Sequence, residues 1–198
     1  MYRLLILLCC IVISSCTTGA VSSTNESAPP TFNNHPKIQI KKGFSGIVKL
    51  PEMLCYCIAD SCNPKDRAAA TSKAISNLYL QISKNNIPSD GPLGQILIYK
   101  DSVMERFECI KPILQLPQKN PEQGQFVFLE SGIFYIYHHF GAYENLDAAY
   151  KTISVDLQHK RLSVCGPLRE FYITSLEQTS DESRWITRIM IPVSNSSN

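Results

Sequence analysis

From Ile47 onward apolar and polar positions alternate with a period of two, which puts Leu54, Tyr56 and Ile58 on one face of an extended segment and Cys55 and Cys57 on the other. This predicts a strand. The period then lengthens to that of a helix, with Thr71, Ile75, Leu78 and Ile82 on one stripe. Asn63 suits the N-cap of that helix, Pro64 its first position and Asp66 the positive end of its dipole, and the helix is expected to stop before Pro88. Ser89-Asp90-Gly91-Pro92 reads as a turn into a strand over Gln95 to Lys100, and a second strand runs from about Phe107 to Ile113. The first half is therefore β, α, β, β.

A loop rich in proline and glycine, Leu116 to Gln125, precedes a second pass through the same order. Phe126 to Leu129 and Ile133 to Phe140 read as two strands, or as one strand bent at Ser131-Gly132. A helix follows with Leu146, Ala149, Tyr150, Ile153 and Leu157 on one stripe, then strands over Glu170 to Thr174 and Trp185 to Val193. The letters repeat as well. Gly91-Pro92-Leu93 returns as Gly166-Pro167-Leu168 after 75 residues, and Ile110-Lys111-Pro112-Ile113 resembles Met190-Ile191-Pro192-Val193 after 80. One half alone would leave a sheet edge and a helix face uncovered, so the two are expected to pair. The prediction is an α+β domain with a pseudo-two-fold duplicated β-α-β-β order: one mostly antiparallel sheet, two helices on one face, and a cleft on the axis between the helices.

Composition changes the picture mainly at the N-terminus. Met1-Tyr2-Arg3 followed by the apolar run Leu4 to Ile13 is too short to cross a bilayer, which needs roughly 20 residues, but suits a signal peptide. Ile13-Ser14-Ser15-Cys16 looks like a bacterial lipobox, in which Cys16 is lipid-modified and becomes the mature N-terminus. Thr17 after the cysteine resembles outer-membrane sorting, if the cell is Gram-negative. Thr17 to about Lys42 is rich in Ser, Thr, Asn and Pro and reads as a flexible tether. The chain divides into a leader (1–15), a lipidated cysteine and tether (16–43), a ligand-binding domain (44–194) and a tail (195–198). The expected setting is the cell envelope, lipid-anchored and facing the periplasm, with the membrane met through Cys16. Lys and Arg number 19 against 17 for Asp and Glu, a balance that does not suggest a nucleic-acid partner.

Cys55, Cys57, Cys62, Cys109 and Cys165 lie in the expected domain, and an oxidising envelope permits disulfides among them. Cys55-Tyr56-Cys57 with Cys62 lacks usual zinc spacing, and strand cysteines more often act as small hydrophobes, so no metal is expected. His138 and His139 are adjacent on a strand and point to opposite faces. No G-x-S-x-G, H-E-x-x-H or P-loop pattern is present.

The strand-turn Tyr137-His138-His139-Phe140-Gly141-Ala142-Tyr143-Glu144 and the strand Leu168-Arg169-Glu170-Phe171-Tyr172, set in this duplicated order, resemble the GyrI-like, or AraC-type effector-binding, family. Members usually occur in the cytoplasm, often fused to a DNA-binding domain, whereas this chain has a leader and no helix-turn-helix segment. The resemblance implies an aromatic cleft with a glutamate at its floor that accepts small amphipathic, often cationic, molecules. Glu170 matches that glutamate, and strand parity puts Tyr172 on its face. The duplicate position is Gln95, which shares a face with Leu97 and Tyr99. Tyr56, Tyr137 and Trp185 complete the expected ligand-binding set. The bland alternative pairs Glu170 with Arg169 or Arg188 in solvent. Some relatives resemble hydrolases, so Glu170 is also the general base if the protein is an enzyme. The related SOUL fold offers haem as an alternative cofactor, with His138, His139 or His159 as ligand; a scaffold lipoprotein is the remaining reading.

Overall fold

A computed structural model describes residues 38, 40, 42, 45–60, 67–100, 103–117, 120–174 and 178–195. The leader, Cys16, most of the tether, Cys62 and the expected helix start at Asn63, Pro64 and Asp66 lie outside the described residues. The elements run β1 (Ser45–Leu50), β2 (Met53–Asp60), α1 (Arg67–Lys84), β3 (Gly94–Lys100), β4 (Val103–Pro112), β5 (Gln125–Leu129), β6 (Gly132–Phe140), α2 (Leu146–His159), β7 (Leu162–Val164), β8 (Leu168–Thr174) and β9 (Ile186–Asn195). No described helix is long and apolar enough to cross a membrane.

The strands form one antiparallel sheet in the order β1-β6-β9-β8-β3-β4-β2-β5, with β7 pairing on β9. The order is palindromic about the β8–β3 seam, so β8 corresponds to β3, β9 to β4 and β6 to β2. Each half, however, is β-β-α-β-β rather than β-α-β-β, the second with the short β7 added after its helix. Pro51 follows β1 and lacks the N–H needed to carry the ladder on. The chain instead divides there: β1 pairs with β6 of the second half, while β5 pairs with β2 of the first. The two leading strands are thus exchanged, and β5 and β6 are separate strands with different partners rather than one bent strand.

Strand parity buries both faces. Under α1, Ala74 and Leu78 pack on Leu54, Tyr56, Leu97, Phe107 and Cys109. Under α2, Ala149, Ile153 and Leu157 pack on Tyr135, Ile189, Ile191 and Val193. The opposite face carries a third core drawn from both halves, including Cys55, Cys57, Ile96, Ile110, Phe134, Ile136, Phe171 and Met190. Leu50 and Leu129, on the two outermost strands, join this same cluster, which closes one side of the curled half-barrel. Each large side chain so buried contributes roughly 1.5–3 kcal/mol. At the seam Gly94 leaves room for Phe171: a Cβ there would stand 2.7 Å from the Phe171 ring and from the Glu170 carbonyl oxygen. Cys55, Cys57 and Cys109 are buried free thiols, pushed up by burial to about 12, 12 and 11, and Cys165 is free and exposed.

Candidate functional site

Helix positions correspond at the same 75-residue spacing as Gly-Pro-Leu, as the buried pairs Ala74/Ala149 and Leu78/Ile153 show. Gln95 and Glu170 are also 75 apart, and they are register partners across the seam. The pseudo-two-fold axis therefore passes between them. Both side chains are 1% exposed. On the same spacing Ile75 of α1 answers Tyr150 of α2, and Leu97 answers Tyr172. The first half offers an apolar wall and an amide where the second offers a carboxylate and two phenols.

The Glu170 carboxylate accepts hydrogen bonds from the hydroxyls of Tyr150, at Oε1, and of Tyr172, at Oε2 and 3.1 Å. Among the described residues it has no ion-pair partner. Arg169 and Arg188, the alternatives from sequence, face the other side of the sheet by strand parity. Arg169 stacks over the Phe134 ring at 4.6 Å, and Arg188 donates from Nε to His138 Nε2 at 3.0 Å. The solvated ion pair expected as the bland reading of Glu170 is therefore not formed. Burial, and then the Glu170 charge, holds the Tyr150 hydroxyl well above the ordinary tyrosine range, so it donates and does not ionise.

A chain of aromatics leads outward. Tyr172 meets Tyr143 edge-on at 5.3 Å, and Tyr143 stacks on Trp185 at 4.8 Å. The turn at Gly141, whose φ of +122 excludes most side chains, brings Tyr143 to this position as the first residue of a 3-10 turn entering α2. Gly141 N–H is held by the Trp185 carbonyl at 3.0 Å, and the Trp185 indole donates to the Thr179 carbonyl at 2.8 Å. Tyr99, half-exposed on β3, lies close enough to Tyr150 to raise its pKa further. Thr187, opposite Tyr172 on β9 and fully buried, has no hydrogen-bond partner for Oγ1 among the described residues.

Of the residues expected from sequence, Glu170, Tyr172, Tyr99 and Trp185 thus belong to one constellation. Tyr56 and Tyr137 do not. Tyr56 is fully buried under α1, where its hydroxyl bonds to the Gln123 carbonyl, and Tyr137 faces the outer flank of α2. The register explains the difference: Tyr56 corresponds to Tyr135, whereas Tyr137 corresponds to Ile58. Tyr150, Tyr143 and Thr187 were not singled out by sequence. Tyr150 read as one more core residue of its helical stripe, and its contact with Glu170 depends on the helix lying over the seam. His138 is buried on the opposite face, His139 Nε2 bonds the Ala142 carbonyl at 3.1 Å, and His159 lies on the outer flank of α2. They do not converge. Among the described residues no group of three or more His, Cys, Asp or Glu could hold a metal ion.

No protein-family model and no curated protein sequence matches the chain. Solved structures do. The EcmrR C-terminal domain superposes over 77% of this chain and 98% of its own, with a TM-score of 0.69 at 16% identity. SAV2435, solved bound to tetraphenylphosphonium, matches over 76% of this chain and 94% of its own at 14% identity, with a TM-score of 0.55. A Listeria innocua protein described as a hydrolase covers 77% and 93% at 14% identity, with a TM-score of 0.54. At these identities the likeness is one of fold, and it agrees with the GyrI-like resemblance of Phe134 to Tyr172.

Proposed function

We propose that the axial site binds a small amphipathic molecule carrying positive charge, and that the chain is a lipid-anchored envelope protein held through Cys16 and facing the periplasm. The observation that carries the binding reading is Glu170: a carboxylate 1% exposed whose hydrogen-bond partners are neutral phenols. A buried carboxylate without a cation is costly, and a cationic ligand supplies what is missing. Flanking tyrosine and tryptophan faces add cation–π attraction of about 0.5–2 kcal/mol. Entry requires Tyr150 or Tyr172 to swing away from the carboxylate, which then exchanges a phenol for the ligand. The complex of SAV2435 with tetraphenylphosphonium supports this ligand class for the fold.

A hydrolase using Glu170 as general base is the runner-up, prompted by the Listeria likeness. Both carboxylate oxygens are already engaged by phenolic donors, which favours binding over proton abstraction. Calorimetric titration with tetraphenylphosphonium, a neutral isostere and haem tests the reading. The cation is expected to bind at least about tenfold more tightly than its isostere; equal affinity, or turnover that Glu170→Gln abolishes, overturns it. For the anchor, labelled fatty acid is expected to enter the wild type and to be absent from Cys16→Ala.

A further inference from the structure

Thr187 is a polar side chain on the helix-covered face that the frame does not use. It is fully buried, and among the described residues its Oγ1 has no hydrogen-bond partner. A buried hydroxyl left unpaired is costly, and the fold does not ask for one here. Phe107, the first-half counterpart 80 residues earlier, is equally buried and fills the same position with a ring. On one side Thr187 faces Tyr172 across the ladder, and on the other it faces His139, whose Nε2 engages the Ala142 carbonyl at 3.1 Å.

Glu170 pairs with Ile189 on β9, which makes Thr187 its diagonal neighbour on the same face. Diagonal neighbours stand about 7–8 Å apart, and the long Glu170 side chain shortens that gap. A nitrogen donating two charge-assisted hydrogen bonds of about 2.8 Å bridges oxygens roughly 5 Å apart. Tyr172, whose hydroxyl lies 3.1 Å from Glu170 Oε2, is the ladder partner of Thr187, so its withdrawal opens the carboxylate and the hydroxyl to a single occupant.

We infer that the ligand of the axial site is a protonated amine, whose N–H groups donate to Glu170 and to Thr187 Oγ1 together. The inference rests on the cationic reading of Glu170 and narrows it: a quaternary cation meets the charge of the carboxylate but leaves the hydroxyl unpaired. The test is calorimetric titration with 3-phenylpropylammonium and its N,N,N-trimethyl form, which share a charge and an apolar tail and differ in N–H. Wild type should prefer the primary ammonium by about tenfold or more. In Thr187→Val, close to isosteric, the preference should vanish, while Thr187→Ser keeps it. Thr187→Val should also melt at or above the wild-type temperature, because it removes a hydroxyl that the fold leaves unpaired. Equal affinities in wild type, a preference that Thr187→Val retains, or a lower melting temperature in that variant overturns the inference. Equal binding of the two cations that Glu170→Gln weakens overturns it alone and leaves the cationic reading standing; binding of neither cation overturns both.

Discussion

The two halves of the molecule share one frame and carry opposite chemistry. On the helix-covered face the first half presents Ile75, Gln95, Leu97 and Phe107 where the second presents Tyr150, Glu170, Tyr172 and Thr187. On the other face the sign reverses. Glu108, paired with Arg106 at 2.9 Å and near the Cys57 thiol, occupies the first-half position that Arg188 fills in the second, and Ala59 stands where His138 does. Even the seam is unequal, with Gly94 matching Arg169 so that Phe171 fits against the glycine. Backbone pairing and apolar burial need only the repeat. Charge is placed singly, because two like charges facing each other across an axis repel in a desolvated site.

Making the halves alike at the axis should therefore cost most. Gln95→Glu puts two carboxylates opposite each other at the seam, and a loss of about 4 kcal/mol at neutral pH is expected by urea denaturation. The folded pair then holds a proton at a pH where the unfolded chain has released it, so the deficit should shrink as pH falls toward 5. A deficit independent of pH would show that packing, not charge, keeps the amide there. Gly94→Ala should cost about 3 kcal/mol by overpacking against Phe171, more than Arg169→Ala at the matching position.

On the opposite face the histidine is the lever. Burial, with the Arg188 charge adding, lowers His138 from 6.5 to about 4. The unfolded chain takes up a proton first as pH falls, so stability should drop by roughly 2–3 kcal/mol between pH 6.5 and 4. Replacing His138 with Asn should flatten that slope, as read from denaturation midpoints at several pH values. The smallest contrast is between the corresponding tyrosines. Tyr56→Phe and Tyr135→Phe should each cost about 1 kcal/mol, but Tyr135→Phe should also raise the pKa of Asp156, now held low by Lys160 and Tyr135, in a carboxyl NMR titration.

Local patterning made much of the frame readable. Period-two alternation found the strands, the apolar stripes found both helices, and the repeated Gly-Pro-Leu fixed the correspondence that sets Gln95 against Glu170. The strand exchange was not readable, since β1 and β5 choose partners 68 to 92 residues away and nothing in either segment names the partner. The same limit shaped the site. Parity placed Tyr172 beside Glu170 on one strand, but Tyr150 reaches the carboxylate only through the docking of α2. Tyr137 stands level with Glu170 along the sheet, both paired with Ile189, but β9 lies between them and Tyr137 opens on the flank of α2.

In the proposed function Glu170 is the charge partner of a cationic ligand on the axis. Trp185, the single tryptophan, stacks on Tyr143 beside Tyr172 and so reports on that site. Titrating tetraphenylphosphonium while following Trp185 fluorescence, in wild type and in Glu170→Gln, tests the claim most directly. A saturable change is expected in wild type, with at least about tenfold weaker binding in the variant. Binding of equal strength in both proteins would contradict it.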